Sequence, residues 1–248
     1  MFKKKLSKIL IAILTVALLA VGGFAGWALT GPSASPMALA AMQSDDDIRV
    51  DNTTDVISFT PVMGVPPQGF IFYPGARVDP QAYAPLMHSI ANMGVSVYVV
   101  KMPLRMAVLN PAAADAVIAA HPETQFWFIG GHSLGGVMAA NYARTHPQIK
   151  GVAFWAAYPA GSDDLSSSDL KVVSISGSID ALATPAKIEA SRPLLPPDTH
   201  WVVIEGGNHS QFGDYGLQSG DTPATISADE QHAKIVMATV GMILGINK

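Results

Sequence analysis

The chain has 248 residues, 49% of them hydrophobic and 14% charged, which excludes extensive disorder and suffices for one α/β domain with a full core. Its formal charge is −4, and four of its fifteen basic residues (Lys3, Lys4, Lys5 and Lys8) sit at the extreme N-terminus. The remainder is more acidic still and offers no electrostatic footprint for nucleic acid, and the absence of cysteine rules out disulfides, thiolate metal sites and a cysteine nucleophile.

Residues 9–29 form an apolar run broken only by Thr15, Gly22, Gly23 and Gly26. As a helix it would extend roughly 30 Å, the thickness of a bilayer's hydrocarbon core. Trp27 lies near one end, where interfacial aromatics are favoured, and the lysines precede the run, which places the N-terminus in the cytoplasm by the positive-inside rule. Residues 1–30 are therefore expected to be an N-terminal signal anchor. It would be a single-pass transmembrane helix in the cell membrane, with the catalytic domain extracytoplasmic. The alternative is a cleaved signal peptide and secretion, although Ala38-Leu39-Ala40, a suitable cleavage site, lies far downstream. Residues 31–47 read as a linker and 48–248 as the folded domain.

From residue 48 onward strand and helix patterns alternate. Strands are expected at 56–60, 70–73, 95–100, 124–129, 151–157, 172–176 and 201–204. Helices are expected at 80–93 with Asp79 as cap, 110–120 with Pro111 in its first turn, 136–144, 184–191 and 226–244. Near-continuous apolar strands between amphipathic helices imply an α/β fold: a mostly parallel central sheet with helices on both faces.

Gly131-His132-Ser133-Leu134-Gly135 is a G-x-S-x-G pentapeptide between one of those strands and its helix. Strand, sharp turn and helix are the context that makes this motif a nucleophile elbow, with Ser133 raised at the carboxyl edge of the sheet. Serine attacks only when a base takes its proton, and the base needs a third group to fix its tautomer. His209 follows the 201–204 strand and a Glu-Gly-Gly-Asn turn, and Asp180 follows the 172–176 strand. Asp163 and Asp164 are rivals on a polar loop, and the other six histidines fall in helices, at helix ends, at a strand start or inside the elbow. An oxyanion needs backbone N–H donors. Leu134, after the candidate nucleophile, and Ala76, in the Pro74-Gly75-Ala76-Arg77 loop after the 70–73 strand, are the candidates. Gly75 and Arg77 on that loop, with Phe212 and Tyr215 on the glycine-rich stretch 211–225, are candidates to line a substrate pocket. There is no H-E-x-x-H, Walker or calcium-loop pattern, so no metal or cofactor is expected.

The segments Gly131 to Gly136 (GHSLGG), Ser176 to Asp180 (SGSID) and Gly206 to Gly213 (GGNHSQFG) together resemble the α/β-hydrolase superfamily. The likeness is to its small, lidless, dienelactone-hydrolase-like members, and the segment Phe72 to Arg77 followed by Tyr83 looks like their oxyanion loop in one bacterial branch. The resemblance implies Ser133, Asp180 and His209 as a triad in the superfamily's chain order. It implies no cap domain, since only a short stretch separates the two strands between which caps are inserted. Serine stands where dienelactone hydrolases proper carry cysteine, which favours general ester chemistry. The expected activity is that of a carboxylesterase acting on small or exposed esters. Acyl transfer, thioester or peptide cleavage on the same residues, or a non-catalytic surface protein that binds through the fold, are the alternatives.

Overall fold

The computed structural model describes residues 2–245. A long helix α1 (Phe2–Leu29) and a short one α2 (Pro36–Ala40) lead into an antiparallel hairpin, β1 (Ile48–Asn52) and β2 (Val56–Pro61). Then follow β3 (Gln68–Tyr73), α3 (Ala84–Asn92), β4 (Ser96–Val100), α4 (Ala114–Ala120), β5 (Phe126–His132) and α5 (Leu134–Thr145). The chain continues through β6 (Ile149–Trp155), β7 (Lys171–Gly177), α6 (Pro185–Ala190), β8 (His200–Ile204) and α7 (Ala228–Leu244). The eight strands form one sheet in the order β1-β2-β4-β3-β5-β6-β7-β8. The pairs β1/β2 and β2/β4 are antiparallel and every other pair is parallel.

Strand side chains alternate between faces, so β3 alone feeds two cores. Phe70 and Phe72 join Tyr83, Trp155 and the buried faces of α3 and α7 on one side. Ile71 and Tyr73 join Tyr98, Phe154 and residues of α4 and α5 on the other. Trp155 packs 4.6 Å from Phe72 between ring centroids, and its indole N–H donates to Thr239 Oγ1 at 2.9 Å, which fixes α7 against β6. The α7 start is capped by Ser227, whose hydroxyl accepts from the Glu230 N–H, and Asp229 and Glu230 add negative charge at the helix's positive end. Residues 156–170, between β6 and β7, hold no helix or strand, so no cap domain stands over the sheet edge.

Two expectations are corrected. The first is the transmembrane helix: α1 forms, yet among the described residues no helix is long and apolar enough to cross a membrane. Its last turn is committed to the body, since Ala28 is buried and the Trp27 carbonyl accepts two hydrogen bonds from the Arg77 guanidinium, at 3.0 and 2.8 Å. The apolar run left outside, with Thr15, Gly22 and Gly23 in it, would reach only about 27 Å as a helix. Nor is the stretch after α1 a free tether. The Asp79 N–H donates to the Pro32 carbonyl, and Ser35 donates to Asp214 from both its N–H (to the carbonyl, 2.9 Å) and its hydroxyl (to the carboxylate, 2.7 Å).

The second correction concerns the helix expected over 110–120, which begins only at Ala114. The Tyr73 hydroxyl, from the end of β3, accepts from the Ala114 N–H and donates to the Pro111 carbonyl, both at 2.9 Å. That hydroxyl caps the helix one turn later than Pro111 alone suggests.

Candidate active site

The carboxyl ends of β3, β5, β7 and β8 share one edge of the sheet. At the end of β5 the chain reverses into α5 within one residue. Ser133 takes φ 52° and ψ −124°, a strained conformation for any residue with a side chain. Its N–H donates to the Trp155 carbonyl at the tip of β6, and its hydroxyl makes no cap bond to α5. The reversal needs close approach on both sides. A Cβ on Gly131 would lie 2.4 Å from the Gly135 carbonyl carbon, and one on Gly135 would lie 2.0 Å from the Tyr73 carbonyl oxygen. The two glycines thus let the elbow close and let the loop after β3 sit directly on the start of α5.

That loop carries the expected oxyanion donor. The Gly75 N–H donates to the Tyr83 hydroxyl at 2.9 Å, and the Arg77 N–H donates to the Arg105 carbonyl at 2.8 Å. Arg77 sits at φ 65°, and the Ala76 N–H between them takes no part in these bonds. Leu134 opens α5, where the first N–H groups have no intrahelical acceptor. Arg105 also pairs with Asp79 at 2.9 Å, bracing the far end of the loop.

At the tips of β7 and β8 the structure brings the expected acid and base together. His209 Nδ1 lies 2.8 Å from Asp180 Oδ2, and both side chains are essentially inaccessible. A carboxylate oxygen only accepts, so the Nδ1–H donates to Asp180 and Nε2 is the ring nitrogen left free of that bond. The other Asp180 oxygen accepts from the Leu182 and Ala183 N–H groups, each at 2.7 Å, so this carboxylate also shapes its own loop. The His209 loop is held from α7: buried Gln231 accepts from the Asn208 N–H at 3.1 Å and donates to the Asn208 carbonyl at 2.8 Å.

Ser133 is linked to this pair through its neighbour. The His132 ring packs against the His209 ring with centroids 4.5 Å apart. Among the described residues no hydrogen bond joins the Ser133 hydroxyl to His209. His132 Nδ1 lies 2.9 Å from the Tyr83 hydroxyl. That hydroxyl also accepts from the Gly75 N–H, so one buried chain of bonds runs from the loop after β3 to the elbow. Burial, with the neighbouring His209 charge, pushes the His132 pKa well below the usual histidine range, and a backbone interaction with His209 offsets this only in part.

The four expected pocket residues are placed differently from one another. Gly75 is buried against Tyr83 and His132. Arg77 stacks on the Trp27 ring, 4.0 Å from its centroid. Phe212, expected to reach substrate, is fully buried and stacks on His132 with an interplanar angle of 7°, because the short 3₁₀ turn after His209 directs its ring inward. Tyr215 is 9% exposed, and its buried hydroxyl is unpartnered. Gln231 went unread in the sequence, although a glutamine on the core-facing stripe of α7 is the signal that could have found it. Asp163 is buried and accepts from Asn141 and Arg144, whereas the His209 ring bonds to Asp180.

A parallel sheet with a strained serine elbow, a donor loop beside it and a buried Asp–His pair at the same edge defines the α/β-hydrolase class. The chain belongs to the alpha/beta hydrolase family, whose pattern matches residues 69–233. Among solved structures it is similar to a predicted CIB-like hydrolase from Thermoplasma acidophilum, at 14% identity over 78% of this chain and 99% of that one, with a TM-score of 0.60. It is similar also to a dienelactone hydrolase-like promiscuous phosphotriesterase from metagenomic libraries, at 14% identity over 81% and 99% of the two chains and a TM-score of 0.61. A third is the esterase domain of a Rhodothermus marinus protein, at 14% identity over 79% and 98% and a TM-score of 0.59. At such identities these likenesses concern the fold. A search of curated proteins finds none that matches in sequence.

Proposed function

We propose that this protein is a serine hydrolase that cleaves small or exposed carboxylic esters through an acyl-enzyme. The observation that carries the reading is the buried 2.8 Å bond between His209 Nδ1 and Asp180, set beside an elbow that holds Ser133 at φ 52°. Nε2 of His209 takes the Ser133 proton as Oγ attacks the ester carbonyl. Such bonds are commonly long in a free enzyme and tighten with substrate bound. The negative charge passes to the carbonyl oxygen, where the Leu134 and Ala76 N–H groups stabilise it. His209 then gives its proton to the departing alkoxide, which leaves as the alcohol. Water, deprotonated by His209, attacks the acyl-enzyme and releases the acid, and Ser133 recovers its proton. Asp180 remains ionised throughout and orients the ring.

Neighbours named as esterases support ester chemistry over the other substrates open to the same residues. Acyl transfer, thioester cleavage and peptide cleavage are separated from it by varying donor and acceptor. The reading is tested with a fluorophosphonate probe and p-nitrophenyl acetate. The protein should label at Ser133, and Ser133→Ala should lose turnover by about 10⁶ in kcat. A folded protein that does not label would leave a binding role as the better account, and a variant that keeps its turnover would remove Ser133 from the mechanism.

A further inference from the structure

The loop between His209 and α7 returns a second carboxylate to the site. A turn at 218–221, closed by the Asp221 N–H donating to the Gln218 carbonyl and with Gly220 at φ 88°, delivers Asp221 beneath the tips of β7 and β8. Its Oδ2 accepts from the Ser210 N–H at 2.8 Å and from the Ser210 hydroxyl at 2.6 Å. Its Oδ1 accepts from the Ala181 N–H at 3.2 Å. Ser210 directly follows His209 and Ala181 directly follows Asp180, so one carboxylate grips the next residue along from each member of the pair.

The surroundings make this arrangement directional. The Leu182 and Ala183 N–H groups go to Asp180, and the Ala181 N–H goes to Asp221, so consecutive donors of one loop are divided between two carboxylates. The Ser210 hydroxyl donates to Asp221 and accepts from the Gln218 N–H at 2.9 Å, which leaves it one orientation. Partial burial raises the Asp221 pKa, but the Ser210 hydroxyl, the Ser210 N–H and the Ala181 N–H outweigh it and hold the carboxyl below its ordinary value. The group is ionised at neutral pH, and charged acceptors form the stronger hydrogen bonds.

We infer that Asp221 is a positioning residue that locks the Asp180 loop to the His209 loop, so that turnover depends on a carboxylate that touches no substrate. The inference rests on the serine-hydrolase reading. Without Asp221 the two loops are still joined by backbone bonds near Gly177 and Gly207 and by the Asp180–His209 bond itself. The ring would then be free to drift, and a misplacement of about 1 Å at a reacting group costs on the order of 10² in rate.

The test compares the wild-type protein with Asp221→Asn and Ser210→Ala. Asparagine keeps the shape and one acceptor but turns a donor toward the Ala181 N–H, and Ser210→Ala removes a single hydroxyl. Asp221→Asn should lower kcat for p-nitrophenyl acetate by roughly 10- to 100-fold with KM nearly unchanged. It should also broaden or abolish the far-downfield proton resonance of His209 Nδ1–H, a readout that needs no turnover. Ser210→Ala should show the same split with a smaller loss, and it stands as the deciding variant should Asp221→Asn fail to fold. An unchanged kcat with the resonance intact overturns the inference. So does a raised KM at constant kcat, which would make Asp221 a wall of the substrate pocket. Wild-type protein that shows the Nδ1–H resonance but does not react with fluorophosphonate counts instead against the serine-hydrolase reading.

Discussion

Two loops flank Ser133, and they are held by different chemistry. Nearest the elbow, the loop after β3 is fixed by neutral groups, the Tyr83 hydroxyl on the Gly75 N–H and the Arg105 carbonyl on the Arg77 N–H, and the Arg105–Asp79 ion pair braces only its far end. The loops carrying Asp180 and His209 are fixed by carboxylates that accept from backbone and ring N–H groups. In the proposed mechanism the first has only to aim a peptide dipole, for which shape suffices. In that mechanism the second has to hold a ring that gains and loses charge, for which an ionised partner in a dry setting has far greater effect.

The contrast is broken most directly at Asp180. Asp180→Asn keeps the side-chain shape and removes the charge, and kcat should fall by about 10⁴ while the fold persists. A loss of only a few-fold, measured on protein with a wild-type circular dichroism spectrum, would mean that the charged side is no more demanding than the neutral one. Tyr83→Phe tests the other loop. It deletes the acceptor of the Gly75 N–H and the hydrogen-bond partner of His132 without emptying the core, and kcat should drop by roughly 10-fold, less than for loss of an oxyanion donor itself. A drop as large as that of Asp180→Asn would erase the distinction.

The smallest effect concerns stability and pH. His132 is buried and neutral, with its folded pKa well below the unfolded value near 6.5. Between those two values the unfolded chain binds the extra proton. Stability is therefore complete above about pH 6.5 and is lost as pH falls toward the folded pKa, at up to about 1.4 kcal/mol per pH unit. His232, also shifted down by burial, adds to the same slope. His132→Gln keeps a hydrogen-bonding group for Tyr83 and cannot titrate, so its melting temperature should decline less between pH 6.5 and 5 than that of the wild type. Parallel curves would show that His132 carries no such proton linkage.

What the sequence revealed follows the range of the interactions involved. Apolar strand runs and the glycines around Ser133 act on neighbouring residues, and the order of sheet and helix could be read from them. Asp180 and His209 were legible because each follows a strand, which puts both at one edge before any contact is known. The late start of α4 was hidden because its cap is the Tyr73 hydroxyl, 41 residues earlier in the chain. The grip of Asp221 on Ala181 spans 40 residues, and Ser35 reaches Asp214 across 179. Phe212 looked available because its loop is polar and glycine-rich, whereas the 3₁₀ turn that points it into the core leaves no pattern in the residues around it.

The backbone at residue 133 has a consequence for how this molecule would answer a substitution. A left-handed φ with a Cβ attached costs on the order of 1–3 kcal/mol, and glycine would adopt that angle without the penalty. Fold durability and the proposed chemistry therefore pull in opposite directions at one position. Ser133→Gly should give a sturdier protein that, on the proposed mechanism, is inert.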